Sequence, residues 1–135
     1  MKFHFLSLFA LLLITGCKKD EDPVVPESNN SITTPEGLWT LVSFEGGFAP
    51  FTTFDNQIYW SITEDQILVL ISEGTTVPAN MPLGSSGAYE YSMPSSGTIT
   101  LNGITHNLTV TGNSLVIEDN LAADGVRLTF ATVEP

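Results

Sequence analysis

The chain has 135 residues, enough for one domain and short for two, with fifteen acidic residues against four Lys plus Arg and a formal net charge of −11. Lys2, Lys18 and Lys19 crowd the N-terminus, so Arg127 is the only basic side chain in the rest of the chain. That balance excludes a phosphate-neutralising nucleic-acid surface and a polybasic grip on anionic lipid. The single cysteine excludes both an internal disulfide and a multi-cysteine zinc site.

Met1-Lys2 is a small basic start, and Phe3 to Ile14 is apolar except for His4 and Ser7. At about a dozen residues the run is shorter than the roughly 20 needed to span a bilayer, which makes it a secretory h-region. It ends in Leu13-Ile14-Thr15-Gly16-Cys17, which resembles a bacterial lipobox and implies removal of residues 1–16 and lipidation of Cys17. Two or three acyl chains anchor durably where one does not. Lys18-Lys19-Asp20-Glu21-Asp22 follows, similar to the export signal of Bacteroidota lipoproteins, in which lysine and acidic residues after the lipidated cysteine direct display outside the outer membrane. The expected localisation is therefore the outer membrane, facing the exterior.

Residues 17–34 carry no hydrophobic periodicity and mix Pro23, Pro26, Ser28, Asn29 and Asn30 with acids, the composition of an unfolded tether. As a coil it would reach about 20–25 Å.

Residues 35–135 form the expected folded domain. Short apolar runs alternate with turn signals and place strands at Leu38–Phe44, Gln57–Ile62, Gln66–Ile71, Ala88–Ser92, Thr98–Leu101, Ile104–Val110, Ser114–Glu118 and Val126–Thr132. Asn102-Gly103 is the sharpest hairpin signal, because a type I′ turn needs positive φ at both central residues. Glu64-Asp65, Gly112-Asn113 and Asp124-Gly125 mark other reversals. Eight strands without crossover segments predict an all-β antiparallel up-and-down barrel, whose closure removes exposed edges; a two-sheet β-sandwich is the alternative.

Gly37-Leu38-Trp39, Gln57-Ile58-Tyr59-Trp60, Gly87-Ala88-Tyr89-Glu90-Tyr91 and Asp124-Gly125-Val126-Arg127-Leu128-Thr129-Phe130 together resemble the lipocalin-like domains of small Bacteroidota outer-membrane lipoproteins. The resemblance covers nearly all of residues 35–135. It implies that Trp39 closes one barrel end, with Arg127 as its capping cation. The second motif of longer lipocalins is missing, which puts a roomy cavity in doubt.

The candidate ligand contacts are Trp60, Tyr89 and Tyr91 inside the barrel, with Phe51 and Met81 from the connections 45–56 and 72–87. Against them stands a filled barrel: Phe48, Phe51 and Phe54 folded inward as a plug, and the tyrosines packed on cross-strand neighbours. His106, on an apolar strand face without a second histidine or an adjacent carboxylate, is expected as a hydrogen-bonded core or barrel-end residue. Glu64-Asp65 and Glu118-Asp119-Asn120 read as solubilising turn acids, because they lack the ligand spacing of a calcium loop. No G-x-S-x-G elbow occurs, so no catalysis, cofactor or metal is expected. The expected function is a monomeric, lipid-anchored surface module binding a small apolar ligand or lipid in the barrel. The alternative is a filled barrel meeting a protein or glycan partner through its loops.

Overall fold

The structure is a computed structural model that describes residues 34–134. The expected leader, Cys17 and most of the tether lie outside the described residues.

Nine strands form one antiparallel sheet: β1 (Gly37–Gly46), β2 (Ala49–Thr53), β3 (Ile58–Ile62), β4 (Gln66–Ile71), β5 (Gly87–Ser92), β6 (Thr98–Leu101), β7 (Ile104–Thr111), β8 (Ser114–Glu118) and β9 (Val126–Thr132). β9 pairs back onto β1 and closes eight of them into an up-and-down barrel, so the sandwich is set aside. The only helical element among the described residues is a 3₁₀ turn, Leu121–Ala123. Each anticipated strand is present; the ninth, β2, falls where the sequence promised a connection.

β2 and β3 are one barrel strand interrupted. Both lie on the same edge of β1, β2 through Ser43↔Thr53 and β3 through Thr40↔Tyr59. Between those pairs β1 steps from Ser43 to Thr40 while its partner takes the longer path from Thr53 to Tyr59. The extra residues carry Phe54 into the core at 8% exposure and turn the chain at Asn56 (φ 52). The amide of Phe54 donates to the Val42 carbonyl over 2.9 Å, at a point where β1 bulges against β9. β2 therefore pairs with β1 alone, leaving one edge free. Pro50, which has no N–H to offer, sits on it.

Alternation along the strands sends one set of side chains into the barrel. Neighbouring rows meet in register: Trp39, Trp60 and Val69 across β1, β3 and β4; Phe44, Leu128 and Ile117 across β1, β9 and β8. Trp60 has no exposed surface and its ring centroid lies 4.7 Å from that of Phe130. The interior is thus filled by its own rings and aliphatics.

The strand directions fix two ends. At the tether end the chain enters at Thr34 and leaves after Thr132; Trp39 is buried there and its Nε1 donates to the Pro35 carbonyl over 2.7 Å. Opposite lies the loop end, formed by the β1–β2 turn, residues 72–86, Asn102-Gly103 and residues 119–125. Met81 and Leu83 join the core from residues 72–86, and Phe54 joins it from the interruption between β2 and β3. Leu83 accepts a left-handed backbone (φ 55), a strained state for a bulky residue, while its side chain is buried to 2% exposure.

Candidate functional site

Two neighbouring concavities lie at the loop end. The first is an apolar groove of about 490 Å³ between the β1–β2 turn and the loop after β4. Phe48, Ala49, Pro50 and Thr52 form one wall, and Pro78, Ala79 and Asn80 face them. Phe48 is 95% exposed at its rim, and Phe51, on β2, is 64% exposed. The loop wall is tightened by a turn in which the Met81 amide donates to the Pro78 carbonyl over 3.1 Å. Asn80 comes close to β1: a Cβ at Gly46 would lie 2.9 Å from Asn80 Nδ2 and 2.7 Å from the buried Phe44 ring, which is the tighter limit at that position.

Asn80 also borders a second cleft, of about 260 Å³, lined in part by Ile104, His106, Asp119, Asp124 and Val126. His106 is 3% exposed, and its Nδ1 lies 2.9 Å from both carboxylate oxygens of Asp119, so that nitrogen carries the donated proton. Asp119 is fixed by its own backbone, whose amide donates to the Val126 carbonyl over 2.8 Å. Beyond it, the Asn120 carbonyl accepts from Ala123 and Gly125, and the Asn120 side chain caps the 3₁₀ turn by accepting from the Ala122 amide. The Gly47 amide donates to the Gly125 carbonyl over 3.0 Å, which ties the groove's turn to the cleft's loop. His106 Nε2 is buried and has no partner.

The histidine is therefore a hydrogen-bonded barrel-end residue, as expected, but its partner corrects the reading of Glu118-Asp119-Asn120 as plain turn acids. Asp119 holds His106, Glu118 meets Arg127, and only Asn120 serves the turn. The signal that could have found Asp119 is the Gly112-Asn113 hairpin. Counting back from Thr111↔Ser114 gives Asn107↔Glu118, which sets His106 beside the next residue of the opposing chain.

The other anticipated residues separate. Trp60 is a core residue and borders none of the principal clefts, so it does not join a ligand cavity with the tyrosines. Tyr89 and Tyr91 pack against the core, with their hydroxyls committed to the Ser85 and Thr63 carbonyls at 2.8 and 2.6 Å. Loss of hydration, with the negative charges of Glu36, Asp65 and Glu64 adding to it, raises the Tyr91 phenol above its ordinary range. Both tyrosines also border a polar notch of about 510 Å³, where β5 runs past the Asn102-Gly103 turn. Met81 is 6% exposed and plugs the barrel, so it is not a ligand-adapting lid residue; Phe51 points to solvent and is not part of the plug, which Phe54 enters alone of the three phenylalanines.

Arg127 does not cap Trp39. It stands five positions down β9 from Thr132, the residue paired with Trp39, on the outward face between Glu45 and Glu118. Its Nε donates to Glu118 over 2.7 Å and its Nη1 lies 3.6 Å from Glu45. The Glu118 hydrogen bond and charge raise the guanidinium further above its ordinary range.

Among the described residues no group of three or more His, Cys, Asp or Glu side chains is arranged to hold a metal ion, and no helix is long and apolar enough to cross a membrane. No family model, no curated protein and no solved structure matches the chain.

Proposed function

We propose that the chain is a lipid-anchored surface module, a lipocalin-like lipoprotein domain of the outer membrane, that meets a protein partner through the loop end of a filled barrel. The observation that carries this reading is the apolar groove of about 490 Å³ with solvent-facing Phe48 in its wall and exposed Phe51 on the strand beside it, over a core in which Trp60 has no exposed surface. Exposed aromatics beside an apolar concavity are the usual anchors of protein interfaces, each burying about 150–250 Å² when covered. The partner surface is basic, because the full sequence has a net charge of −11 and Arg127 is its only Lys or Arg beyond residue 19. Orientation supports the same reading. The tether enters at the end opposite the groove, so acyl chains on Cys17 would leave the groove pointing away from the membrane. Catalysis has no part in the proposal.

The test is site-specific photocrosslinking in intact cells, with p-benzoylphenylalanine in place of Phe48 and, as a control at the tether end, of Ser95. The expected result is a discrete protein adduct at position 48, absent at position 95 and lost when Phe51→Asp is added. Equal labelling at both positions, or no adduct together with a raised Tm in the presence of a fatty acid, would overturn it in favour of a ligand held inside the barrel.

A further inference from the structure

We propose that the second cleft at the loop end receives a lysine or arginine side chain of the partner, with Asp119 as its oriented acceptor and His106 as the residue that positions it. The inference rests on the foregoing reading for what carries the cation.

Size comes first. At about 260 Å³ the cleft is below the roughly 300–1,000 Å³ of pockets that enclose whole small molecules, and suits one long side chain. Its chemistry is divided in the way such a side chain is divided. Ile104, 60% exposed, and Val126 give apolar surface for a methylene stem, while Asp119, Asp124 and the Asn80 amide give oxygen acceptors for its charged head. Arg127, the only Lys or Arg among the described residues, is directed away, into its pairs with Glu45 and Glu118, so none of them fills the cleft.

The independent observation is the histidine. A carboxylate offers about four lone-pair sites. His106 Nδ1 engages Asp119 from one side at 2.9 Å, and the Asp119 side chain keeps 29% of its surface exposed, so further sites stay open. His106 is 3% exposed and leaves Nε2 buried without a partner, an arrangement that costs stability relative to an apolar side chain in the same place. A core position that keeps an unsatisfied imidazole, whose single hydrogen bond goes to a carboxylate lining a cleft, fits a task of orientation better than one of packing. The 119–125 loop serves the same end by fixing the Asp119 backbone through Val126 and Asn120.

The experiment titrates Nα-acetyl-lysine methylamide and Nα-acetyl-arginine methylamide into the chain as purified from the cell, followed by amide NMR shifts. Nα-acetyl-glutamine methylamide and glucose are the neutral controls. Saturable shifts are expected at Asn80 and Asp124 with a cationic probe and not with a neutral one. They should weaken as salt is raised, and weaken at least fivefold in Asp124→Asn, an exposed site whose left-handed backbone (φ 60) asparagine adopts readily. His106→Leu should lose probe affinity by a similar factor while its thermal midpoint holds or rises, a split that a purely structural histidine would not give. Should that variant fail to fold, Asp124→Asn still decides. No saturable shift, or equal shifts with glutamine or glucose, overturns the inference. Phe48→Ser with Phe51→Ser leaves probe binding intact, so the two readings fail separately. An adduct at position 48 without probe binding removes only the cleft's role; probe binding without the adduct removes the partner assigned to the groove.

Discussion

Gly125 carries more of the loop end than its size suggests. Its amide donates to the Asn120 carbonyl, its carbonyl accepts from the Gly47 amide, and a Cβ built on it would lie 2.5 Å from the Asn120 oxygen. That atom is backbone, held by a second hydrogen bond from Ala123, and cannot swing aside as a side-chain tip would. Gly125→Ala is therefore expected to destabilise the domain by about 2 kcal/mol in urea unfolding, the range of an overpacked core site. The His106 Nδ1 proton resonance should shift in the same variant, because the strained loop carries Asp119. Gly103 is the contrast. It too has a positive φ of 79, but a Cβ there meets nothing within 4 Å, so Gly103→Ala bears only the left-handed backbone cost of roughly 1 kcal/mol and leaves the histidine signal in place.

At the scale of elements, the interrupted strand separates two roles among three phenylalanines of one short stretch. Phe54, 8% exposed, closes the barrel with Met81 and Leu83, whereas Phe51 faces solvent from β2. Phe54→Ala should cost about 3–4 kcal/mol, the usual toll for truncating a buried phenylalanine, and Phe51→Ser should change the unfolding free energy by no more than about 0.5 kcal/mol. Comparable losses in both variants would contradict the assignment of Phe51 to a surface. This same stretch marks the limit of what the sequence discloses. Strands with a buried face announce themselves by alternation, as Ile58, Trp60 and Ile62 do, and the Asn102-Gly103 turn is local chemistry realised at φ 49 and 79. β2 buries no face of its own and includes a proline; only pairing with β1 makes it a strand, and pairing is not a local property. The cleft was obscured for a related reason. His106 and Asp119 meet through the register of the β7–β8 hairpin, so neither residue's neighbourhood in the chain reveals the other. Arg127 was legible as the lone cation, yet its position along β9 relative to Trp39 had to be counted from a closure known only in three dimensions.

For the molecule as a whole, charge governs both folding and the proposed encounter, with opposite signs. Fifteen acids against four bases make the folded chain repel itself. Raising NaCl from about 10 mM to about 0.5 M shortens the screening length from roughly 30 Å to a few Å and removes most of that repulsion. The attractive pairs that salt also weakens are few, since Arg127 is the only Lys or Arg among the described residues, and its bridges to Glu118 and Glu45 are exposed pairs of small net worth. Stability should thus rise with salt, and for a domain of this size relief of about 1 kcal/mol corresponds to roughly 4–8 °C in Tm. The adduct at position 48 should decline over the same range, because a basic partner is drawn by the charge that salt screens. Following Tm and crosslinking yield along one salt series therefore tests the charge argument twice. A yield that held or rose while Tm climbed would leave the groove's apolar contacts standing and remove the basic partner.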